Sequence, residues 1–251
     1  MTKQQGRAEA QYCYGPAPDG WWHRAGAFGK GSAGKEDRMS MDSDAKSPFQ
    51  APELAFADPF AAFALWMEEA RAAEPNDPNA MTVATSTPSG APSARIVLLR
   101  NVDGPQHPER GFVFFTNTES RKGLEIGANP QVALLFHWKS LGRQIRIEGK
   151  AVPVAVEEAD SYFHTRPRIS RLGARASDQS RPLPDRRTLQ KRVEEEEARY
   201  PGDDIPRPAY WSGYRVIPTA IEFWQQMPFR LHDRLVFRRQ GKSWGQERLY
   251  P

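Results

Sequence analysis

Hydrophobic residues recur at helical spacing near residue 60 and fall into short extended runs beyond residue 80. Asp58 followed by Pro59 is typical of a helix start, because Asp caps free backbone N–H groups and Pro suits the first turn. The apolar residues that follow at helical spacing are Phe60, Phe63, Met67 and Ala70. This pattern predicts a helix with one face on a core.

Short β-rich runs follow this helix closely. The predicted strands of this first group are Met81–Thr85, Arg95–Leu99, Gly111–Thr116, Gln131–Trp138 and Arg143–Val154. The sequence Thr87-Pro88-Ser89-Gly90 predicts a turn between the first two. Closely spaced strands favour an antiparallel sheet or barrel over a doubly wound sheet.

The second half of the chain mixes helices and strands. The predicted helices are Gly123–Ala128, Val156–Arg166 and Asp185–Tyr200, and the predicted strands are Tyr214–Ile217, Ala220–Trp224, Arg230–Arg238 and Trp244–Leu249. The whole pattern predicts a mainly β (α+β) protein with flanking helices.

Composition changes this picture at the N-terminus. Aliphatic and aromatic residues make up 39% of the 251-residue chain, which is low for a compact domain. Residues 1–52 are rich in Gly, Lys, Ser, Asp and Pro and predict a disordered extension. Residues 53–251 are then expected to form a single domain. A further hypothesis is that translation of the native protein starts at Met39 or Met41.

Residue counts exclude several functional classes. Cys13 is the single cysteine, so neither an intramolecular disulfide nor a cysteine metal site is expected. The five histidines lack metal-ligand spacing, so no metal is expected. No membrane span or signal peptide is evident, which predicts a cytoplasmic protein. The net charge of +4 suits an anionic small ligand, and no aromatic-interleaved basic stretch supports nucleic-acid binding.

The run Arg230-Leu231-His232-Asp233-Arg234 concentrates positive charge. Read as a strand, its alternation places Arg230, His232 and Arg234 on one face. Two fixed cations beside an imidazole favour an anionic ligand at that place. The alternative is a strand face that is basic and exposed to solvent.

A phosphate site is predicted at Ser120-Arg121-Lys122, which opens the helical stretch Gly123–Ala128 with Ser120 as its N-cap. A helix N-terminus flanked by cations is suited to phosphate, and Thr116 adds a donor nearby. A capped surface helix with two solvated cations is the alternative.

A second set of polar residues suits a phosphate monoester. Tyr162 and Arg166 lie one turn apart on one helical face, and Ser170 follows beyond a proline. The alternative is a helix end with a surface arginine. The amides of Gln144 and Gln179 suit the edge of a heterocycle. Without a Ser-His-Asp arrangement or a dinucleotide fingerprint, an enzyme of this sequence is expected to use a bound cofactor.

These motifs follow an order seen in one known family. In chain order they are Arg95–Leu99, Phe115-Thr116-Asn117, Ser120-Arg121-Lys122, Tyr162-Phe163-His164, Arg166-Pro167, Gln179-Ser180, Glu222-Phe223-Trp224, Arg230–Arg234 and Arg248-Leu249-Tyr250-Pro251. From Asp58 to Pro251 the chain resembles the pyridoxamine (pyridoxine) 5′-phosphate oxidases. Each motif alone is weak, and the ordered set is specific.

The resemblance implies a split β-barrel that binds FMN at a homodimer interface. The implied FMN contacts are Arg95, Ile96, Val97, Leu98, Leu99, Arg100, Phe115, Thr116, Arg121, Lys122, Gln144, Gln179, Ser180, Trp224 and Arg234. The implied substrate contacts are Arg100, Tyr162, Arg166, Ser170, Arg230, Leu231 and His232.

The resemblance also implies a reaction. A hydride passes from C4′ of pyridoxamine or pyridoxine 5′-phosphate to the flavin, which gives pyridoxal 5′-phosphate in vitamin B6 biosynthesis or salvage. Oxygen then accepts the electrons to form hydrogen peroxide, and the amine also releases ammonia. Arg230 and His232 are implied to hold the substrate over the flavin ring as catalytic residues. Arg100 departs from the lysine usual in the family, so a planar fork replaces a point charge.

Two alternatives stay open on the sequence. One is a related flavin oxidase of the phenazine pathway, against which the set Tyr162, Arg166 and Ser170 argues. The other is a protein that binds FMN or pyridoxal phosphate without catalysis, since split barrels host several functions.

Overall fold

A computed structural model describes residues 53–251, which contain nine strands and five helices. The strands are β1 (Ala80–Ser86), β2 (Pro92–Leu98), β3 (Asn101–Val102), β4 (Phe112–Asn117), β5 (Gln131–Trp138), β6 (Arg143–Pro153), β7 (Trp211–Gln225), β8 (Asp233–Gln240) and β9 (Ser243–Arg248). The helices are α1 (Pro59–Ala73), α2 (Arg121–Ala128), α3 (Val156–Thr165), α4 (Arg168–Ala176) and α5 (Arg186–Arg199).

All the strands join one antiparallel sheet in the order β2-β1-β5-β6-β7-β4-β3, and β8 and β9 extend it from β7. The sheet curls because the chain after β2 reaches back to β4, where the Arg100 N–H donates to the Val113 carbonyl at 2.8 Å. A β-bulge at Gly149 bends β6, and a Cβ there would meet the Ile217 carbonyl oxygen at 2.2 Å. Glycine therefore permits the close approach of β6 and β7.

The length of β7 determines where the site lies. Its first residues pair with β4, its last residues pair with β8, and β6 runs along the other side. One strand therefore connects the half of the sheet beside α2 to the C-terminal hairpin.

Helix α1 covers the core of the curled sheet. The Asp58 side chain accepts from the Ala61 N–H at 2.7 Å and caps the helix, as the sequence predicts. Phe63 packs edge-on against Phe112 with ring centroids 4.9 Å apart. Burying a large apolar side chain contributes about 1.5–3 kcal/mol, so this face of α1 supports the whole fold.

The predicted antiparallel, mainly β architecture is confirmed, and several of its elements differ from the prediction. Tyr214–Ile217 and Ala220–Trp224 are parts of the single strand β7. Helix α4 was not predicted, because Pro167 signals the end of α3 equally well when another helix follows at once. The disordered extension predicted at residues 1–52 and the proposed start sites lie outside the described residues.

Within residues 53–251, no helix is long and apolar enough to cross a membrane. The same residues contain no cluster of three or more His, Cys, Asp or Glu side chains suited to a metal ion.

Candidate active site

A cavity of about 340 Å³ opens between β2, β4, α2 and α3. Its lining residues are Arg95, Ile96, Val97, Leu98, Arg100, Phe115, Thr116, Asn117, Lys122, Tyr162, Arg166, Gln179 and Trp211. We call it the main cavity. All of these except Asn117 and Trp211 are among the contacts implied by the sequence, so the fold brings residues from four distant segments together.

The start of α2 forms the polar end of the main cavity. Ser120 caps the helix by accepting from the Gly123 N–H at 3.4 Å. The Lys122 ammonium donates to Thr116 Oγ1 at 2.9 Å, to Ser120 Oγ at 3.2 Å and to Gln179 Oε1 at 2.7 Å. Burial and the nearby Arg95 charge lower the pKa of Lys122 to about 8. A buried cation at a helix N-terminus favours an anionic ligand.

Arg95 and Arg121 are held by a carboxylate that the sequence analysis missed. Glu125 is buried and accepts from Arg121 Nε at 2.8 Å, with Arg95 Nη2 at 3.5 Å. Burial raises the pKa of Glu125, but hydrogen bonds from Ser93, Thr85 and Arg121 outweigh it and lower the pKa to about 2. The spacing of Arg121 and Glu125, four residues apart on a helix, is the sequence signal that could have found it.

The charges at this end of the cavity suit a phosphate group. Arg95 and Lys122 in the lining and Arg121 beside it carry three positive charges, and Glu125 carries one negative charge, which leaves a formal charge of +2. A phosphate monoester carries about −1.5 to −2 at neutral pH. The donor set therefore fits a phosphorylated ligand.

Aromatic rings form the opposite wall of the main cavity. Tyr162 stacks on Phe115 with ring centroids 4.1 Å apart, and Phe115 stacks on Trp211 at 5.5 Å. Trp211 was not predicted, since its place depends on the pairing of β7 with β4. The Arg166 guanidinium carbon lies 4.7 Å from the Trp211 ring centroid, within range of a cation–π contact.

Among the described residues of the site, Arg166 has a buried polar atom that lacks a hydrogen-bond partner. Its Nη1 atom is buried and has no hydrogen-bond partner within residues 53–251. Burial lowers the pKa of Arg166, the Tyr162 hydroxyl opposes this effect, and the Arg100 charge adds to it. A buried guanidinium nitrogen without a partner is costly unless an anion binds it.

A second cavity of about 220 Å³ lies on β5, β6, β7 and β8 and shares no lining residue with the main cavity. It contains Gln144, Trp224 and Arg234, three of the implied flavin contacts. Arg234 Nε donates to the buried carboxylate of Glu222 at 2.7 Å. The implied flavin contacts thus form two separate groups on one chain.

The predicted strand at Arg230–Arg238 is wrong at its start. Pro228–Arg230 form a single 3₁₀ turn, and β8 begins only at Asp233. Phe229 and Arg230 have φ angles of 56° and 62°, which belong to the left-handed region and cannot continue a strand. The alternation that placed Arg230, His232 and Arg234 on one strand face is therefore not present.

His232 nevertheless lies close to the second cavity. The His232 ring lies 4.5 Å from the Trp224 ring between centroids. Its Nδ1 accepts from the Met227 N–H at 3.2 Å, so in the neutral ring Nε2 carries the proton. Arg230 and Leu231 are exposed beside it.

Arg230, Leu231 and His232 line neither cavity, and the same holds for four further implied contacts. Leu99 is buried in the core and Arg121 is largely exposed at the first turn of α2. Ser170 is half-buried in α4, and Ser180 is exposed with a φ of 73°. Their roles stay predictions.

The curled antiparallel sheet and its basic, ring-walled cavity define a split-barrel protein. The family described as "Pyridoxamine 5′-phosphate oxidase" matches residues 67–200, and the family described as "Pyridoxine 5′-phosphate oxidase C-terminal dimerisation region" matches residues 211–251. The chain therefore belongs to the pyridoxamine 5′-phosphate oxidase family.

Individual relatives agree with this assignment. A pyridoxine/pyridoxamine 5′-phosphate oxidase of Granulibacter bethesdensis is 89% identical over 213 residues, which are 85% of this chain and 100% of the relative. One of Gluconobacter oxydans with the same name is 62% identical over 195 residues, which are 78% of this chain and 95% of the relative.

Solved structures support the fold. PhzG from Burkholderia lata, in complex with tetrahydrophenazine-1-carboxylic acid, has a TM-score of 0.72 and 33% identity, with 81% of this chain and 96% of that chain covered. A pyridoxamine 5′-phosphate oxidase-related, FMN binding protein from Nostoc punctiforme has a TM-score of 0.63 and 16% identity, with 79% and 100% covered. At that identity the second structure bears on the fold alone. The predicted split barrel is confirmed.

Proposed function

We propose that the protein oxidises pyridoxamine 5′-phosphate and pyridoxine 5′-phosphate to pyridoxal 5′-phosphate. FMN is the cofactor, oxygen is the electron acceptor and hydrogen peroxide is a product; the amine substrate also yields ammonia. The names of the relatives support the reaction. The observation on which the proposal depends most is the buried, unpartnered Nη1 of Arg166 in a cavity that is basic at its other end.

FMN fits the donor set at the start of α2. Lys122, Arg95 and Arg121 would hold its phosphate, and Glu125 would balance their excess charge. When bound, FMN supplies the hydride acceptor that the protein's own side chains lack. The residues of the chain then bind, orient and shield the reacting groups.

Arg166 would bind the substrate phosphate. Its unpartnered Nη1 is the free donor, and Trp211 holds the guanidinium from one side. Tyr162 and Arg100 line the same cavity, with the Arg100 guanidinium carbon 5.7 Å from the Tyr162 ring centroid. Arg230 and His232 would hold the other end of the substrate, with a proton available on His232 Nε2 when the ring is neutral.

A homodimer is part of the proposal. The implied flavin contacts occupy two cavities that share no lining residue, so one copy of each from two chains would complete a site. Ile96, in the lining of the main cavity, and Leu124, on α2, are apolar yet 64% and 62% exposed, as expected of surface that a partner covers. The match of residues 211–251 to a dimerisation region supports the same arrangement.

An assay with both substrates tests the function. Purified protein is expected to be yellow, or to become so with added FMN, and to form pyridoxal phosphate and peroxide in equal amounts. A colourless protein that FMN cannot reconstitute would refute the proposal. A yellow protein inactive with both substrates would favour the non-catalytic alternative. Oxidation of a reduced phenazine carboxylate instead would favour the phenazine branch, to which the 33% identity with PhzG gives weaker support than the 89% relative gives to the main proposal.

A further inference from the structure

Three side-chain and backbone groups fasten the chain before α1 to the C-terminal hairpin. The Leu54 N–H donates to Asp233 Oδ2 at 2.7 Å. Arg248 donates through Nη1 to Asp233 Oδ1 at 2.5 Å and through Nη2 to the Leu54 carbonyl at 2.7 Å. We call Leu54, Asp233 and Arg248 the clasp. Leu54 is 179 residues from Asp233 and 194 from Arg248, so its two contacts each close a long loop of chain, whereas Asp233 and Arg248 are 15 residues apart on the same hairpin.

The clasp lies where residues 226–232, which we call the substrate loop, rejoin the sheet at Asp233. Asp233 is the first residue of β8 and pairs with Gln225, the last residue of β7. Residues 226–232 between them carry Arg230 and His232, the side chains proposed to hold the substrate. Beyond Asp233 no ladder pairing supports this loop.

The loop itself is strained. Phe229 and Arg230 are consecutive non-glycine residues in the left-handed region, with φ of 56° and 62°. Such residues cost on the order of 1–3 kcal/mol each and persist only when surrounding contacts hold them. Phe229 is 72% exposed and contributes little packing. At the start of the loop the Gln226 N–H donates to the Gly142 carbonyl at 2.8 Å, and at its end the chain is held by Asp233 through the clasp.

We propose that Asp233 is a positioning residue that, through the clasp, fixes the placement of Arg230 and His232 towards the substrate. This inference rests on the proposed function. Both carboxylate oxygens of Asp233 are engaged, Oδ1 by Arg248 and Oδ2 by the Leu54 N–H. Each oxygen of Asp233 is thus held by one hydrogen bond within the clasp, and the role given to Asp233 is to orient its neighbours.

The test compares Asp233→Asn with a control on the same hairpin. Arg238 pairs with Glu247 at 2.5 Å, and both side chains are about half exposed. Arg238→Gln thus removes an ion pair between β8 and β9 without touching the clasp. In Asp233→Asn we expect the KM for pyridoxamine phosphate to rise about fivefold or more, with kcat and the Kd for FMN changed less than about twofold. Arg238→Gln should match the wild type, and Asp233→Glu should recover part of the loss.

Hydrogen exchange gives a readout that does not depend on activity. Asp233→Asn should speed amide exchange in residues 226–232 and in residues 53–57, while Arg238→Gln should not. Equal exchange in the two variants would overturn the inference even if the wild type is active. A fall in kcat and in flavin affinity with unchanged KM would also overturn it, since that pattern indicates general damage. A wild type that oxidises neither substrate would refute the proposed function, a result distinct from either of these.

Discussion

The guanidinium of Arg166 lies over the face of Trp211, 4.7 Å from the ring centroid, while its Nη1 atom is buried without a partner. The ring partly offsets the lost hydration of the charge but offers no hydrogen-bond acceptor. In the ligand-free protein the unpartnered nitrogen of Arg166 therefore lowers the stability of the fold, and a bound anion would remove this penalty. An arrangement of this kind favours ligand affinity over the stability of the empty protein.

Replacing Arg166 should weaken substrate binding without lowering the stability of the ligand-free protein. In Arg166→Met we expect the KM for both phosphorylated substrates to rise at least about tenfold, because a charged hydrogen bond is worth about 1.5–3 kcal/mol. The melting temperature of the ligand-free protein should not fall, because the variant no longer buries an unpaired charge. Steady-state kinetics and thermal unfolding measure the two effects.

Arg168→Met is the matched control for that experiment. Arg168 is two residues away but pairs with Glu197 at 2.6 Å and donates to the Tyr200 carbonyl at 2.7 Å. Its loss should lower stability and leave KM unchanged. Similar KM values for the two variants would contradict the role given to Arg166.

Lys122 should make FMN binding depend on pH. Its pKa is lowered to about 8 by burial and by Arg95, so the ammonium loses its proton as the pH rises through that value. Affinity for the flavin phosphate should then fall between about pH 7 and 9.5, because the bound anion requires the charged form. Flavin fluorescence titrations at constant ionic strength measure the Kd.

The variant Lys122→Arg tests whether the titration of Lys122 causes this pH dependence. In Lys122→Arg the charge persists over the whole range, since a guanidinium does not titrate there. We expect weaker binding at pH 7, as the fork cannot reproduce all three hydrogen bonds, but little change with pH. An equally steep pH dependence in the variant would assign the effect to another group.

Much of this fold follows from local patterns in the sequence. Helix α1 is predictable because Asp58, Pro59 and the apolar spacing after them all act within one segment. The strands of the β1–β2 and β5–β6 pairs are predictable because these partners follow one another closely along the chain. The main cavity could be predicted only through the order of its motifs, since no periodicity indicates that α2 and α3 open on the same space.

The features that sequence reasoning missed depend on tertiary contacts. Trp211 resembles any core tryptophan until β4 pairs with β7 and brings Phe115 beside it. Phe229 and Arg230 carry no glycine or asparagine signal for a left-handed backbone, so alternation wrongly extended the strand through them. In each case a neighbour distant in sequence decides the local structure.

Glu125 should make the free energy of unfolding depend on pH in the acid range. Its ordinary pKa of 4.5 falls to about 2 in the fold, because hydrogen bonds from Ser93, Thr85 and Arg121 outweigh the effect of burial. A lowered carboxyl pKa stabilises the fold above the unfolded-state value, and this contribution is lost as the pH falls through the folded-state value. The wild type should therefore lose up to about 3 kcal/mol between pH 4.5 and 2 from this group.

Glu125→Gln tests that assignment, since the amide does not titrate. The free energy of unfolding, from urea titrations at several pH values, should be lower than that of the wild type at pH 7. The difference should shrink as the pH falls from about 4.5 towards 2. A difference that stays constant over this range would mean that the Glu125 carboxylate is not the stabilising ion.

The proposed dimer can be tested through an exposed leucine that touches no proposed ligand. Leu124 lies in α2, two residues after the cavity residue Lys122, and is 62% exposed. In Leu124→Glu we expect the dimer to dissociate at micromolar concentration, because a charge would be buried in the interface without a partner. Flavin should be lost with it, since Gln144, Trp224 and Arg234 would no longer meet the main cavity of a partner. Light scattering after size exclusion and flavin absorbance measure the two losses.

Leu65→Glu on α1, where the leucine is 51% exposed, should change neither the dimer nor the flavin content. A Leu124→Glu protein that is monomeric yet binds FMN as the wild type does would show that one chain suffices for the flavin site.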